Sequence, residues 1–189
     1  KNIGAVNTVV REDNKWVGYN TDCSGAIAAL EACTTLKDKN VLILGSGGTA
    51  KAIGHGIKQK GGILTVTYNR NKEKAEFLAI ELGCELIAFR DAGTRPIDIL
   101  INCSPVGMNP NINETPFLAR DLKKEMVVFD AVYNPLETRL LREAKAIGCK
   151  VIPGTELFIN QAARQFELWT GQSAPIKAMR EVLMLKLSS

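Results

Sequence analysis

The sequence predicts an α/β protein built on a doubly wound parallel sheet. Two observations carry this. From Asn40 onward, short unbroken apolar runs alternate with longer segments of helical period, and a glycine-rich loop, Gly45-Ser46-Gly47-Gly48, joins one such run to one such segment. Parallel strands are covered on both faces, so they read as continuous apolar runs rather than as alternating ones. With 189 residues, 46% of them hydrophobic and 23% charged, the chain has the composition and length of an ordinary globular protein with one good core.

The elements follow in order. Val41-Leu42-Ile43-Leu44 reads as a buried strand, followed by a helix from about Thr49 to Lys60. Ile63 to Tyr68 is the next strand and Lys72 to Leu82 the next helix. Leu86 to Phe89, Ile99 to Ile101 and Met126 to Val132 are further strands, and a helix from about Glu137 to Ile147 precedes the strand Lys150-Val151-Ile152. The two ends depart from this alternation. Gly4 to Val10 and Trp16 to Tyr19 look like two strands around a turn-like Arg11 to Lys15, and a helix from about Ser24 to Cys33 leads into the sheet. A strand pair without further partners exposes an edge, so the chain is expected to begin partway through another domain, with residues 1–22 a remnant of it and 23–189 the nucleotide-binding unit. Beyond Gly154 two long helices are expected, Glu156 to Trp169 and Pro175 to Leu187. Gly171 would stop the first, and Ser173 with Pro175 would start the second.

Bulk properties exclude several classes. The net charge of +4 is spread without blocks of like charge, which gives no support to nucleic-acid binding. No apolar run approaches the roughly 18 residues of a membrane span, and no signal peptide opens the chain. Five scattered cysteines without a Cys-x-x-Cys pair argue for a reducing, cytoplasmic setting and against a disulfide framework or a zinc site. His55 is the only histidine, so no metal site and no histidine triad is expected.

The loop Gly45-Ser46-Gly47-Gly48-Thr49-Ala50 has the context that gives a glycine motif meaning, a strand before it and a helix after it. Gly45 makes the tight turn, Gly47 lets the backbone approach a pyrophosphate, and Ala50 permits close helix–strand packing. The helix N-terminus offers unpaired N–H groups to phosphates. A ligand-free glycine turn is the competing reading. The second strand selects the dinucleotide. It ends Tyr68-Asn69-Arg70-Asn71, with Lys74 a turn later, where an NAD site places Asp or Glu. Arg70 can bind a 2′-phosphate through paired donors and Lys74 can add charge, which points to NADP. Alternatively, both are solvated surface charges.

Several segments, taken in order, resemble the shikimate dehydrogenase family along nearly the whole chain. They are Gly4-Ala5-Val6-Asn7-Thr8, Gly18-Tyr19-Asn20-Thr21-Asp22, the glycine loop with Lys51 and Ala52, Asn69-Arg70-Asn71, Asn102 through Met108, and Gly154 through Gln161. The resemblance implies NADPH-dependent, reversible reduction of 3-dehydroshikimate to shikimate in aromatic amino acid biosynthesis. It implies that Asp22 is the catalytic aspartate, working with a lysine as an acid/base pair. From the residues alone, Asp22 could equally cap the helix that follows. Asn7 and Gln161 match residues that hydrogen-bond the substrate hydroxyls, although such residues are more often structural. Asn102 and Ser104 match the loop near the cofactor. Ala131, Val132 and Tyr133 match positions near nicotinamide and substrate, and Gly154 matches a backbone contact to the nicotinamide. Tyr133 could instead be a core aromatic.

The sequence departs from the family pattern in two places. The family's catalytic lysine lies on a segment before Gly4, and Lys1 is not in its motif. Leu157 stands where many relatives carry methionine, a change that conserves volume. The isolated chain is therefore expected to bind cofactor and show little turnover, the substrate domain being a missing partner. Gln165 to Gly171 with Ala174-Pro175 also resembles the end of chains fused to a dehydroquinate dehydratase. The rival functions are a quinate/shikimate dehydrogenase using NAD and a non-catalytic NADP-binding module. A methyltransferase would not call for basic residues after the second strand.

Overall fold

Val41-Leu42-Ile43-Leu44 is apolar on both faces because both faces are buried. Val41 and Ile43 belong to one core cluster, and Leu42 and Leu44 to another on the opposite side. The same split runs through Ile99, Leu100 and Ile101 and through Val127, Val128 and Phe129. A computed structural model, which describes residues 3–68 and 71–188, arranges these runs into one parallel sheet.

The chain opens with an antiparallel hairpin, β1 (Thr8–Glu12) and β2 (Lys15–Tyr19), closed by Asp13 and Asn14 at φ 45° and 62°. Such positive φ values at both central residues suit the tight turns of hairpins. Helix α1 (Thr21–Glu31) follows, then β3 (Asn40–Leu44), α2 (Gly48–Gln59), β4 (Ile63–Tyr68), α3 (Lys72–Leu82), β5 (Glu85–Ala88), β6 (Ile99–Asn102), β7 (Val127–Asp130), α4 (Arg139–Ile147), β8 (Lys150–Ile152), α5 (Gly154–Thr170) and α6 (Ile176–Ser188). The sheet order is β5-β4-β3-β6-β7-β8, with every pairing parallel. This is the doubly wound order in which the first sheet strand sits centrally and the winding reverses beside it. Helices α1, α2, α3 and α5 contribute to the core on one face; α4 and the segments around Phe117 and Leu122 cover the other.

Most expected elements are present, with shifted ends. Helix α1 starts at Thr21, three residues before the expected Ser24, because the Asn20 side chain accepts a hydrogen bond from Cys23 N and caps it. Asp22 is thus inside the first turn and is not the cap. Helix α5 starts at Gly154, behind Pro153, and Gly171 ends it at φ 69° as expected. Strand β7 ends at Asp130, two residues before the expected Val132.

Close backbone approach brings α1 onto α5. A Cβ added at Gly25 would lie 2.9 Å from Gln161 N, so α1 can seat only a glycine there. The hairpin is fastened to α5 by Gln165 Nε2, which donates to Thr8 Oγ1 at 3.1 Å, and by Trp169 Nε1, which donates to Val9 O at 3.2 Å. Its outer face stays open, with Trp16 76% exposed. Among the described residues no helix is long and apolar enough to cross a membrane, and no three His, Cys, Asp or Glu residues gather as a metal site.

Candidate active site at the carboxyl edge of the sheet

The winding reverses between β3 and β6, and at their carboxyl ends the chain leaves in two loops that touch. Gly45 has φ +114°, and a Cβ there would sit 3.0 Å from the carbonyl carbon of Cys103. Glycine is required by conformation and space together. The loop then enters α2 through Gly47. At Gly47 and Gly48 an added Cβ would meet nothing within 4 Å, so the loop faces open space. Helices α1, α3 and α4 are capped by the side chains of Asn20, Asn71 and Thr138. Helix α2 has no side-chain cap and no acidic residue in its first turn. Its first N–H groups are left for an outside acceptor, an arrangement that fits an anionic phosphate.

Beside this loop lies a cavity of about 300 Å³ lined by Asn7, Asp22, Thr49, Ala131, Tyr133, Gly154, Leu157, Phe158, Gln161 and Gln165. It joins the hairpin end, the start of α1, the glycine loop, the exit of β7 and one face of α5. Four expected substrate residues, Asn7, Asp22, Tyr133 and Gln161, meet here, with Thr49, Ala131 and Gly154 from the cofactor set. Asn7 organises the polar wall. Its Nδ2 donates to Asp22 Oδ1 and to Thr21 Oγ1, both at 3.0 Å, while its Oδ1 accepts from Thr21 N at 2.9 Å and from Thr8 Oγ1 at 2.9 Å. Burial pushes the half-buried Asp22 carboxyl above its ordinary value, and the Asn7 hydrogen bond opposes that shift. Among the described residues no cation pairs with Asp22. Gln161 Nε2 donates to Phe158 O at 3.1 Å, leaving its Oε1 near Thr21 Oγ1 at 3.5 Å.

Tyr133 is 41% exposed and tilts against Phe158, ring centroids 4.8 Å apart, so it is a rim residue and not a core aromatic. Gly154 fits for a steric reason: a Cβ there would come within 2.4 Å of Val132 O. Asn102 and Ser104 lie off the cavity. Asn102 is buried, with Nδ2 donating to Val106 O at 3.2 Å and to Asp130 Oδ1 at 2.9 Å. Its Oδ1 accepts from Ser104 N at 3.0 Å and Ser104 Oγ at 2.7 Å. These side chains shape the loop and have little hydrogen-bonding capacity left over. Asn69 and Arg70 fall outside the described residues. Lys74 is exposed in the first turn of α3, its backbone N–H donating to Asn71 Oδ1 at 2.9 Å.

Sequence reasoning passed over Leu157, Phe158 and Gln165 as lining residues. The signal was available for the last: Gln165 is four residues after Gln161, hence on the same helix face. It also passed over Asp130, a buried carboxylate at the end of β7.

Residues 154–184 match the family described as shikimate 5'-dehydrogenase C-terminal domain. The chain is similar to the shikimate dehydrogenase (NADP(+)) of Methanocaldococcus jannaschii, with 42% identity over 98% of this chain and 69% of that protein. It is 41% identical, over 93% of its length, to 32% of the chloroplastic bifunctional 3-dehydroquinate dehydratase/shikimate dehydrogenase of Arabidopsis thaliana. A crystal structure of a shikimate dehydrogenase in complex with NADP+ superposes with a TM-score of 0.93 at 40% identity, covering 100% of this chain and 69% of that one.

Proposed function

The chain belongs to the shikimate dehydrogenase family, and from that premise we propose that it forms the NADP-binding part of an enzyme interconverting 3-dehydroshikimate and shikimate. One observation carries the reading: the uncapped N-terminus of α2 opens beside the cavity where Asn7, Asp22 and Gln161 converge. A phosphate site and a set of hydroxyl-binding groups within one cleft match a dinucleotide and a polyhydroxylated substrate.

Gly45, Ser46, Gly47, Gly48 and Thr49 would hold the pyrophosphate through backbone N–H groups, with Arg70 and Lys74 taking the 2′-phosphate. When bound, NADPH supplies the hydride. The protein's own groups do the rest. Gln161 offers hydrogen bonds to ring hydroxyls, and Asn7, whose amide is already bonded to Thr8, Thr21 and Asp22, would do so by exchanging one of those bonds. Asp22, held by Asn7, fixes an ammonium partner and tunes the proton exchanged at the reacting oxygen. Ala131, Val132 and Gly154 bound the nicotinamide side, and Tyr133 closes the rim.

The match to about a third of the Arabidopsis protein supports a second, more limited reading, in which a dehydroquinate dehydratase is fused to the same polypeptide. Asp22 has no cationic partner among the described residues, so these 189 residues on their own are expected to bind NADP and turn over little. The test is shikimate oxidation by the complete protein with NADP and with NAD, for the wild type and Arg70→Ala. The reading requires NADP-dependent oxidation that Arg70→Ala weakens through KM for NADP while NAD is unaffected. No oxidation of shikimate by the wild type would end it, and equal use of NAD would return the site to the quinate/shikimate alternative.

A further inference from the structure

Asp130 is wholly inaccessible, and among the described residues no cation pairs with it. Removing a carboxylate from water is costly, and an apolar residue in such a place often gives an equally stable fold. Its hydrogen bonds show what this carboxylate does. Oδ1 accepts from Asn102 Nδ2 at 2.9 Å and from Val132 N at 3.0 Å, while Oδ2 accepts from Thr138 Oγ1 at 2.6 Å. The last is in the range of a hydroxyl bonded to an ionised carboxylate. The three donors sit on three segments: the end of β6, the chain leaving β7, and the start of α4.

Two of these contacts lead to the cleft, and the third ties the carboxylate to the start of α4. Asn102 passes the constraint to Ser104 and Val106, so the loop facing Gly45 takes its shape from it. Val132 N fixes the backbone on which Gly154 lies and whose neighbour Ala131 lines the cavity. Thr138 also accepts from Leu141 N at 3.3 Å and caps α4. Asp130 itself is absent from the cavity lining.

We propose that Asp130 is the positioning residue of the cofactor side of the cleft, one carboxylate holding the Asn102–Val106 loop and the Ala131–Val132 wall in a single arrangement. The proposal rests on the NADP-binding reading above. Burial pushing its carboxyl up to about 6 accords with a group kept despite its cost.

The test uses NADPH fluorescence titration, steady-state kinetics and thermal unfolding on the complete protein. Asp130→Ala is expected to raise both the Kd and the KM for NADPH by about tenfold or more, the effect of losing charge-assisted hydrogen bonds, with a smaller fall in kcat. Asp130→Asn keeps an acceptor for Asn102 and Val132 and should recover most of the binding. Ile57→Ala, at the far end of α2 from the glycine loop, serves as a stability control. At a comparable loss of Tm, it should leave Kd within about twofold. If Asp130→Ala does not fold, Thr138→Val, which removes the Oδ2 donor together with the side-chain cap of α4, should still weaken NADPH binding about threefold, beyond what Ile57→Ala does at a comparable loss of Tm. NADPH binding unchanged in Asp130→Ala or Thr138→Val, or weakened as much by Ile57→Ala, would overturn the positioning role alone. A wild type that binds no NADPH would overturn this role and the cofactor reading together.

Discussion

Asp22 and Asp130 are two carboxylates, each bonded to an asparagine amide and each shifted upward by burial. They differ in what is left over. Asp130 receives three donors from three segments and is inaccessible. Asp22 receives one side-chain donor, from Asn7, and faces the cavity with acceptor capacity to spare. A saturated carboxylate can only hold a structure; one with free lone pairs can bind and exchange a proton. The same residue type thus serves architecture in one place and chemistry in the other, and accessibility separates the roles.

The largest expected effect tests that separation directly. Asp22→Asn, which keeps shape and the Asn7 contact, should lower kcat by about 10²–10⁴-fold, the usual range for a lost acid/base group, with Tm close to wild type. A variant that kept wild-type kcat would remove Asp22 from the chemistry. Next comes the pH dependence of stability. With its carboxyl raised from 3.8 to about 6, Asp130 holds more protons in the native state than in the unfolded chain between those values, so its contribution makes the unfolding free energy fall as pH rises through that window, by ~3 kcal/mol at most. Denaturation at pH 4 and pH 7 should show this slope reduced in Asp130→Asn. A slope identical in the two proteins would refute it.

Gly154→Ala should cost about 1–3 kcal/mol in chemical denaturation, because its Cβ would press on the Val132 carbonyl at 2.4 Å and backbone cannot swing aside. Full stability in this variant would mean that the Asp130-held wall yields easily. The smallest effect sharpens the account of Asp22. The Asn7 hydrogen bond holds its carboxyl down against burial, so Asn7→Ala should move the acid limb of the kcat/KM profile to higher pH. An unmoved limb would detach that limb from Asp22.

How much of this was legible beforehand depended on the range of the interaction. The strands and α2 were readable because unbroken apolar runs and a glycine loop are local patterns. The start of α1 was misplaced because Asp22 reads as the cap in sequence, whereas the backbone brings Asn20, two residues earlier, to accept from Cys23 N. Asn102 and Ser104 stand on the loop that faces Gly45, and their side chains fasten it. Asp130 carried no signal within the expected strand Met126 to Val132, since its three donors come from residues 102, 132 and 138 and only folding brings them together.

The sequence by itself determined the parallel α/β class, the glycine loop and its helix, and the family with its expected chemistry. Periodicity, turn residues and ordered motifs are written along the chain. Only the tertiary structure decided that Asn7, Asp22, Tyr133 and Gln161 share one cavity, that Gly25 and Gly154 are needed for close backbone approach, and that one aspartate is buried while the other is open. Those properties arise from contacts between residues distant in sequence, where burial and the geometry of donors set the role of each side chain.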